Sequence, residues 1–492
     1  MIVSVSLILQ TDYHIRNYLS GLVDYGSDPT IEYHIILPKR FESKEIAKFG
    51  SKTISYVDFG DKHIRLFSLI REINLFKHSR KSSSFQYTLL RLYPPLLSLL
   101  KKNTFVRDHG AIESKSLHYK QMFRNFKFLK QGIFLAMRHV RKRSIKLFAK
   151  CIACNSLVSL MSRFIREDEL LNTIENCQSD FVIFVSSLYE YASIPISRYC
   201  KERNKTYMLI ADNWDNISSK RTLWEKPNYV GVWGPQTCKQ AQEIHDLDNS
   251  QIVHVGTPRL MPLLDIQSDI SMIKQTQKNT LSIQKELKNI LFVGSSLLFD
   301  EASIVRNLLK EMSNSEESTK LVYRPYPWRI HDIPDDILKH PLFTLDPTLS
   351  TSVLGKKIDN FDPRFEEYAE LISSADLVVG SLTTMVLEAS ILSKRVIGLV
   401  YHDEYAGVES PDVGFRMCEH FKGLEYFPNL SFCYDLKDLW QMIYERLSGQ
   451  CEVIDAEKVQ KAARWFYDID CNKEFINNLN SHLVRIQTEK LE

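Results

Sequence analysis

Short apolar runs of strand length recur along this chain, each followed by a small turn and then by residues at helical spacing. The clearest are Phe181-Val-Ile-Phe-Val, Ile290-Leu-Phe-Val and Leu377-Val-Val. They are apolar at every position, as a strand covered on both faces must be. Strand–turn–helix alternation predicts a parallel sheet, and so an α/β fold. A chain of 492 residues is too long for a single core. Residues 265–288 are polar, rich in Gln, Ser and Lys, and free of Gly and Pro, and they separate two such series. We therefore expect an amino-terminal α/β domain over 1–264, a linker over 265–288, a second α/β domain over 289–470 and a tail over 471–492. The expected architecture is two Rossmann-like doubly wound domains facing a cleft. Ligands of such sheets bind beyond the carboxyl ends of the strands, so functional residues are sought there.

Residues 376–389, Asp-Leu-Val-Val-Gly-Ser-Leu-Thr-Thr-Met-Val-Leu-Glu-Ala, concentrate these signals. Gly380 allows a tight turn and a close ligand. Ser381, Thr383 and Thr384 bring hydroxyls to a helix start, where amides lack intrahelical partners. That combination favours phosphate. Glu388 follows about one turn past Thr384, where a carboxylate accepts hydrogen bonds from sugar hydroxyls. The same residue types also make an ordinary capped junction.

This stretch resembles the nucleotide-sugar donor site of GT-B glycosyltransferases. The resemblance implies that Ser381, Thr383 and Thr384 hold the donor diphosphate and Glu388 the nucleotide ribose. Other strand ends of the second series join the candidate donor site. They are Gly294 and Ser295 after the first strand, Arg324 after the second, where a guanidinium can grip phosphate, and His402 after residues 394–401. Several related transferases carry His-Pro near Arg324, whereas this chain has Tyr326-Pro327. The last amphipathic helix, 456–465, is expected to return to the first domain as terminal GT-B helices do.

In the first series, residues 2–9 read as a strand, 10–16 as a cleft loop carrying Asp12 and His14, and 18–23 as a helix. Phe105-Val-Arg-Asp-His-Gly places Asp108 and His109 at another strand mouth. Any of these four could take a proton from an acceptor hydroxyl, as the base from the amino-terminal domain does in GT-B enzymes. Each also reads as an ordinary loop or turn residue. After residues 205–210 comes Ala-Asp-Asn-Trp-Asp-Asn-Ile-Ser-Ser-Lys, a loop crowded with hydrogen-bonding groups. Asn213, Asp215 and Lys220 are candidate acceptor ligands, and Trp214 a stacking platform for a sugar or base. Over residues 205–260, Trp-Asp-Asn, Val-Trp-Gly-Pro-Gln-Thr and His-Val-Gly-Thr-Pro-Arg are similar to bacterial capsule and lipopolysaccharide biosynthesis proteins. They are distantly similar to CDP-glycerol glycerophosphotransferases.

Residues 114–166 form a basic amphipathic insertion without a single Asp or Glu. Basic residues interleaved with aliphatic and aromatic ones suit an anionic membrane surface or a lipid diphosphate. They equally suit a helix with a core face and a solvated basic face. No nucleic-acid motif accompanies the charge, and the whole chain is nearly neutral at +3. Nine scattered cysteines make no framework, and Cys151-Ile-Ala-Cys154 lacks a second pair for zinc. No run reaches the length of a membrane span, and residues 2–9 are too short for a signal core. A cytoplasmic protein, peripheral on the inner face of the membrane, is expected.

The expected activity is transfer of a sugar from a nucleotide-sugar donor to a polysaccharide or lipid-linked acceptor, with no metal or other cofactor. Glycerophosphate or alditol-phosphate transfer, nucleotide-sugar 2-epimerisation, and a non-enzymatic scaffold in glycan assembly stay open on the same fold.

Overall fold

A computed structural model describes residues 2–24, 29–42, 53–60, 64–94, 128–150, 154–220, 222–223, 225–260, 263, 287–297, 299–326, 333–346, 365–448, 454–468 and 475–491. Asp108, His109, Cys151, residues 114–127 of the basic span and most of the expected linker lie outside them. The chain forms two compact units. One comprises Met1–Leu89, Arg141–Met261 and Arg464–Glu492, the other Leu90–Val140 and Pro262–Ala463.

The first unit is built on β1 (Val3–Ile8), β2 (Ile31–Pro38), β3 (Thr53–Val57), β4 (Phe181–Ser186), β5 (Thr206–Ala211), β6 (Tyr229–Val232) and β7 (Ile252–His254). Their order is β3-β2-β1-β4-β5-β6-β7, and every neighbouring pair is parallel. The second unit contains β8 (Lys288–Val293), β9 (Thr319–Arg324), β10 (Phe343–Leu345), β11 (Leu377–Ser381), β12 (Arg395–Leu399) and β13 (Leu430–Cys433). Here the order is β10-β9-β8-β11-β12-β13, again all parallel. The all-apolar runs lie in these sheets: β4, β5 and β11 are buried at every residue. Each sheet reverses its winding once, between β1 and β4 in the first and between β8 and β11 in the second. Those reversals open the crevices in which doubly wound sheets bind ligands.

One expectation is corrected at the first strand's end. Residues 12–16 are not a loop; α1 (Asp12–Asp24) already starts at Asp12. The Thr11 hydroxyl accepts from the His14 amide at 3.1 Å, and Asp12 sits in the first turn, where the helix dipole favours a carboxylate. Ile15, Tyr18 and Leu19, at helical spacing, are buried, which draws the turn onto the sheet.

The basic span resolves into two faces. In α2 (Ile64–His78), Phe67, Ile70 and Ile73 pack with Ile145 and Ala149 of α3 (Phe128–Ala149) and Val158 of α4 (Cys154–Ser162). One face of the span is therefore core. Among the described residues, no helix is long and apolar enough to cross a membrane.

The return toward the first unit begins at Arg464, just past the helix Ala456–Ala463. Gln236 donates to the Trp465 carbonyl at 2.9 Å. The terminal helix Phe475–Leu491 then buries Phe475, Ile476, Leu479, Leu483 and Ile486 on one stripe, each worth about 1.5–3 kcal/mol. Its Asn480 accepts from the Tyr33 hydroxyl of β2 at 2.6 Å in the interior. Tyr33→Phe leaves that acceptor unmatched and should lower the stability of the first unit by about 1–3 kcal/mol. Urea unfolding followed by hydrogen exchange in the terminal helix measures it.

Candidate functional site

In the second unit the candidate residues gather at the carboxyl edge of the sheet, on both sides of the β8–β11 reversal. Gly380 of β11 lies so close to β8 that a Cβ there would stand 2.5 Å from the Val293 carbonyl oxygen. Only glycine allows this approach. Ser381, the last residue of β11, is buried. Leu382 follows, and Thr383 then occupies the position just before the helix Thr384–Ile391. The Thr383 side chain makes no capping bond. Its Oγ1 is buried without a partner, although a threonine there ordinarily bonds the first-turn amides. Thr384 opens the helix, half-buried, and Glu388 lies one turn further on, fully buried.

Across the reversal, Gly294 is equally constrained: an added Cβ would meet the Tyr326 amide nitrogen at 2.7 Å. The loop it begins is closed upon a carboxylate. Glu301 accepts from the Ser295 amide at 3.0 Å and from the Tyr323 hydroxyl at 2.7 Å. Ser295 Oγ in turn accepts from the Leu297 amide at 2.9 Å. The Ser295 amide is thus directed at Glu301. Arg324, at the end of β9, is buried in an ion pair with the fully buried Asp346, so its charge is already balanced inside the protein. His402 lies after β12 with an exposed ring, its Nδ1 3.3 Å from Asp412. Asp346 thus engages one nitrogen of the Arg324 guanidinium and Asp412 one ring nitrogen of His402.

In the first unit the β1–β4 reversal holds a second polar group. His14, in the first turns of α1, is fully buried, with Nε2 3.6 Å from Glu190 Oε1 and 3.7 Å from Asp212 Oδ2. Glu190 follows β4 and Asp212 follows β5, so three strand ends converge here. The Glu190 carboxylate accepts from Ser186 Oγ at 2.6 Å, from Ser187 through both its amide and its hydroxyl, and from the Tyr189 amide at 3.1 Å. Ser186 Oγ accepts from the Leu188 amide at 2.9 Å. Leu188 is held at φ 61°, in the left-handed region. A bulky residue is strained there by about 1–3 kcal/mol, a kind of strain that clusters at functional sites.

Burial alone would raise the Glu190 pKa, but the protonated form of His14 and the Ser186 and Ser187 donors outweigh it and lower the value. Burial lowers the His14 pKa below 6.5, only partly opposed by Glu190, which favours the neutral ring. With the two carboxylates facing Nε2, the proton belongs on Nε2. Nδ1 carries the lone pair, buried and without a hydrogen-bond partner. A neutral, oriented imidazole can accept a proton.

The remaining candidates are scattered. Asp12 faces away to Arg40 at 2.7 Å, partly exposed. Asn213 accepts from the adjacent Trp214 amide at 3.0 Å. Trp214 is fully buried, edge-on to Phe466 at 5.7 Å, which removes it as a stacking platform. The Ala211–Lys220 stretch ends in a single π-helical turn, Asn216–Lys220. Asp215 and Lys220 pair with each other at 2.8 Å, and the Lys220 ammonium also lies 5.5 Å from the Tyr189 ring centre. Glu190, Asp212, Glu301 and Asp346 were not singled out from the sequence. Glu190 and Asp212 follow recognised strands closely, so the strand-end rule applied evenly would have found them; Glu301 lies inside a helix and Asp346 after a strand not read from the sequence. Among the described residues, no group of three or more His, Cys, Asp and Glu is placed to hold a metal ion.

No protein-family model matches the chain, and no curated protein matches it. Solved structures do. UDP-GlcNAc 2-epimerase from Neisseria meningitidis, bound to UDP-GlcNAc, is 10% identical, with a TM-score of 0.50 over 98% of this chain and 100% of that one. A glycosyltransferase from Rickettsia africae is 11% identical, with a TM-score of 0.47 over 100% and 99%. The wall teichoic acid polymerase TagF is 15% identical, with a TM-score of 0.38 over 64% and 74%. At such identity the epimerase likeness speaks to fold alone, and the fold is two Rossmann-like domains.

The His14 cluster has a consequence for stability. The unfolded chain takes up a proton at His14 that the folded one resists, so this contribution is fully present above about 6.5 and is lost as pH falls below it. His14→Gln should therefore flatten the fall in urea midpoint of the first unit on going from about pH 7 to about pH 5. His245, whose pKa burial lowers to about 4, keeps part of the slope.

Proposed function

We propose that the chain is a metal-independent glycosyltransferase that moves a sugar from a nucleotide-sugar donor to a surface-glycan acceptor, a polysaccharide or a lipid-linked chain. The observation that carries this reading is the uncapped start of the helix Thr384–Ile391. A buried Thr383 hydroxyl without a partner stands there, at the reversal of a doubly wound sheet whose Gly380 leaves no room for a side chain. First-turn amides, a hydroxyl and the positive helix end together neutralise a diphosphate. Ser381, Thr383 and Thr384 are assigned to that group, with Gly294 beside them. Glu388 is assigned to the ribose, which requires its buried carboxylate to be uncovered on binding.

The amino-terminal unit is assigned the acceptor and the base. Acceptor oxygen attacks the anomeric carbon, the bond from that carbon to the diphosphate breaks, and the acceptor proton passes to His14 Nδ1, which requires that buried atom to be uncovered on binding. Glu190 and Asp212 stabilise the imidazolium so formed. Asp215 and Lys220 are retained as acceptor contacts. The similarity over 205–260 to surface-carbohydrate biosynthesis proteins supports the acceptor class.

Incubation with a panel of UDP-, GDP-, CMP- and CDP-linked donors, followed by product analysis, tests the proposal. Sugar transfer supports it. Transfer of glycerophosphate or an epimerised donor would replace it with those reactions, and no binding of any nucleotide by calorimetry would leave a scaffold. Thr383→Val should weaken donor binding by about 0.5–1.5 kcal/mol and Glu388→Ala by about 1–3 kcal/mol. His14→Gln should lower kcat by roughly 10²-fold or more at unchanged donor affinity. Unchanged kcat would remove His14 from the reaction.

A further inference from the structure

Residues 141–166 contain no Asp or Glu, and the fold turns only one side of them inward. Ile145, Ala149 and Val158 pack in the core. On α3, Leu147 is rotated about 200° from Ile145, and it is 70% exposed. On α4 and the turn that continues it, Leu157, Leu160 and Phe164 recur at three- and four-residue intervals, 42%, 50% and 60% exposed. They form a second apolar stripe, on the side of α4 away from buried Val158. A helix stripe of this kind is ordinarily explained by what covers it, and core does not cover this one.

The charges within residues 141–166 are of a single sign, with the exposed Asp168 and Glu169 just beyond them. Arg143, Lys146, Lys150, Arg163 and Arg166 are all exposed. None makes an ion pair among the described residues. Arg141, by contrast, turns to Glu72 at 2.9 Å. Exposed aliphatic and aromatic side chains flanked by unpaired cations on long flexible stems match one kind of surface. The apolar stripe enters the boundary between headgroups and acyl chains, while the basic stems reach headgroup phosphates.

We propose that the face formed by α3, α4 and the turn at Arg163–Phe164 docks on an anionic phospholipid bilayer. This does not depend on the nucleotide-sugar reading. Flotation of the full-length protein with vesicles of equimolar phosphatidylglycerol and phosphatidylcholine tests it. The protein should float with these vesicles, stay behind with phosphatidylcholine alone, and be released by raised salt. Leu160→Ser with Phe164→Ser should lower the vesicle partition coefficient by roughly tenfold or more. Arg143→Ala with Lys150→Ala should lower it about fivefold per charge. All four side chains face solvent, so far-ultraviolet circular dichroism and the thermal midpoint should stay as in the wild type. Three results would each overturn the proposal. They are flotation of either double variant as complete as that of the wild type, absence of wild-type flotation, and self-association relieved by Phe164→Ser without vesicle binding.

Discussion

The pairing of strands remote in sequence, β1 with β4 and β8 with β11, is the constraint on which the rest of the molecule depends. Each joins two series of windings into one parallel sheet, and each fixes where a crevice opens. At β8–β11 the constraint is steric: Gly380 lies against the Val293 carbonyl with no space for a methyl group. At β1–β4 it is apolar, with Val5 and Leu7 beside Phe181 and Ile183 and all four fully buried. Sheets covered on both faces cannot tolerate a slip in this register without moving apolar residues toward solvent.

Each crevice is lined by charges that the protein has already answered internally. Glu190 is wrapped by Ser186, Ser187 and the Tyr189 amide. Glu301 closes the Gly294 loop, and Asp346 balances Arg324. Satisfied polar networks of this kind rigidify the loops that carry them. Among the buried polar atoms left without a hydrogen-bond partner are His14 Nδ1 in one unit and Thr383 Oγ1 in the other. Both sit beside a sheet reversal.

The strands were legible because residues buried on both faces must be apolar, and runs such as 181–185, 290–293 and 377–379 carry no other message. Helix starts were less so. Thr11 and Asp12 are a cap and a first-turn acid, yet polar residues after a strand read equally well as a loop. Partnerships were not legible at all. That His14 would meet Glu190 and Asp212 follows from the order β1-β4-β5, a product of long-range pairing rather than of local pattern. Trp214 and Arg324 show the opposite gap. A chemically apt side chain at a strand end was read as available, when Phe466 and Asp346, distant in sequence or hidden in an unrecognised strand end, had already engaged it.

The bond from Tyr33 to Asn480 spans 447 residues of chain. On the ribosome, the sheet of the first unit can assemble once residue 254 has emerged, but its closing helix is made only after the second unit. The second unit, completed at Ala463, thus has all its residues before the first does. Until that helix emerges, the surface that Phe475–Leu491 will cover stays open to water and to chaperones.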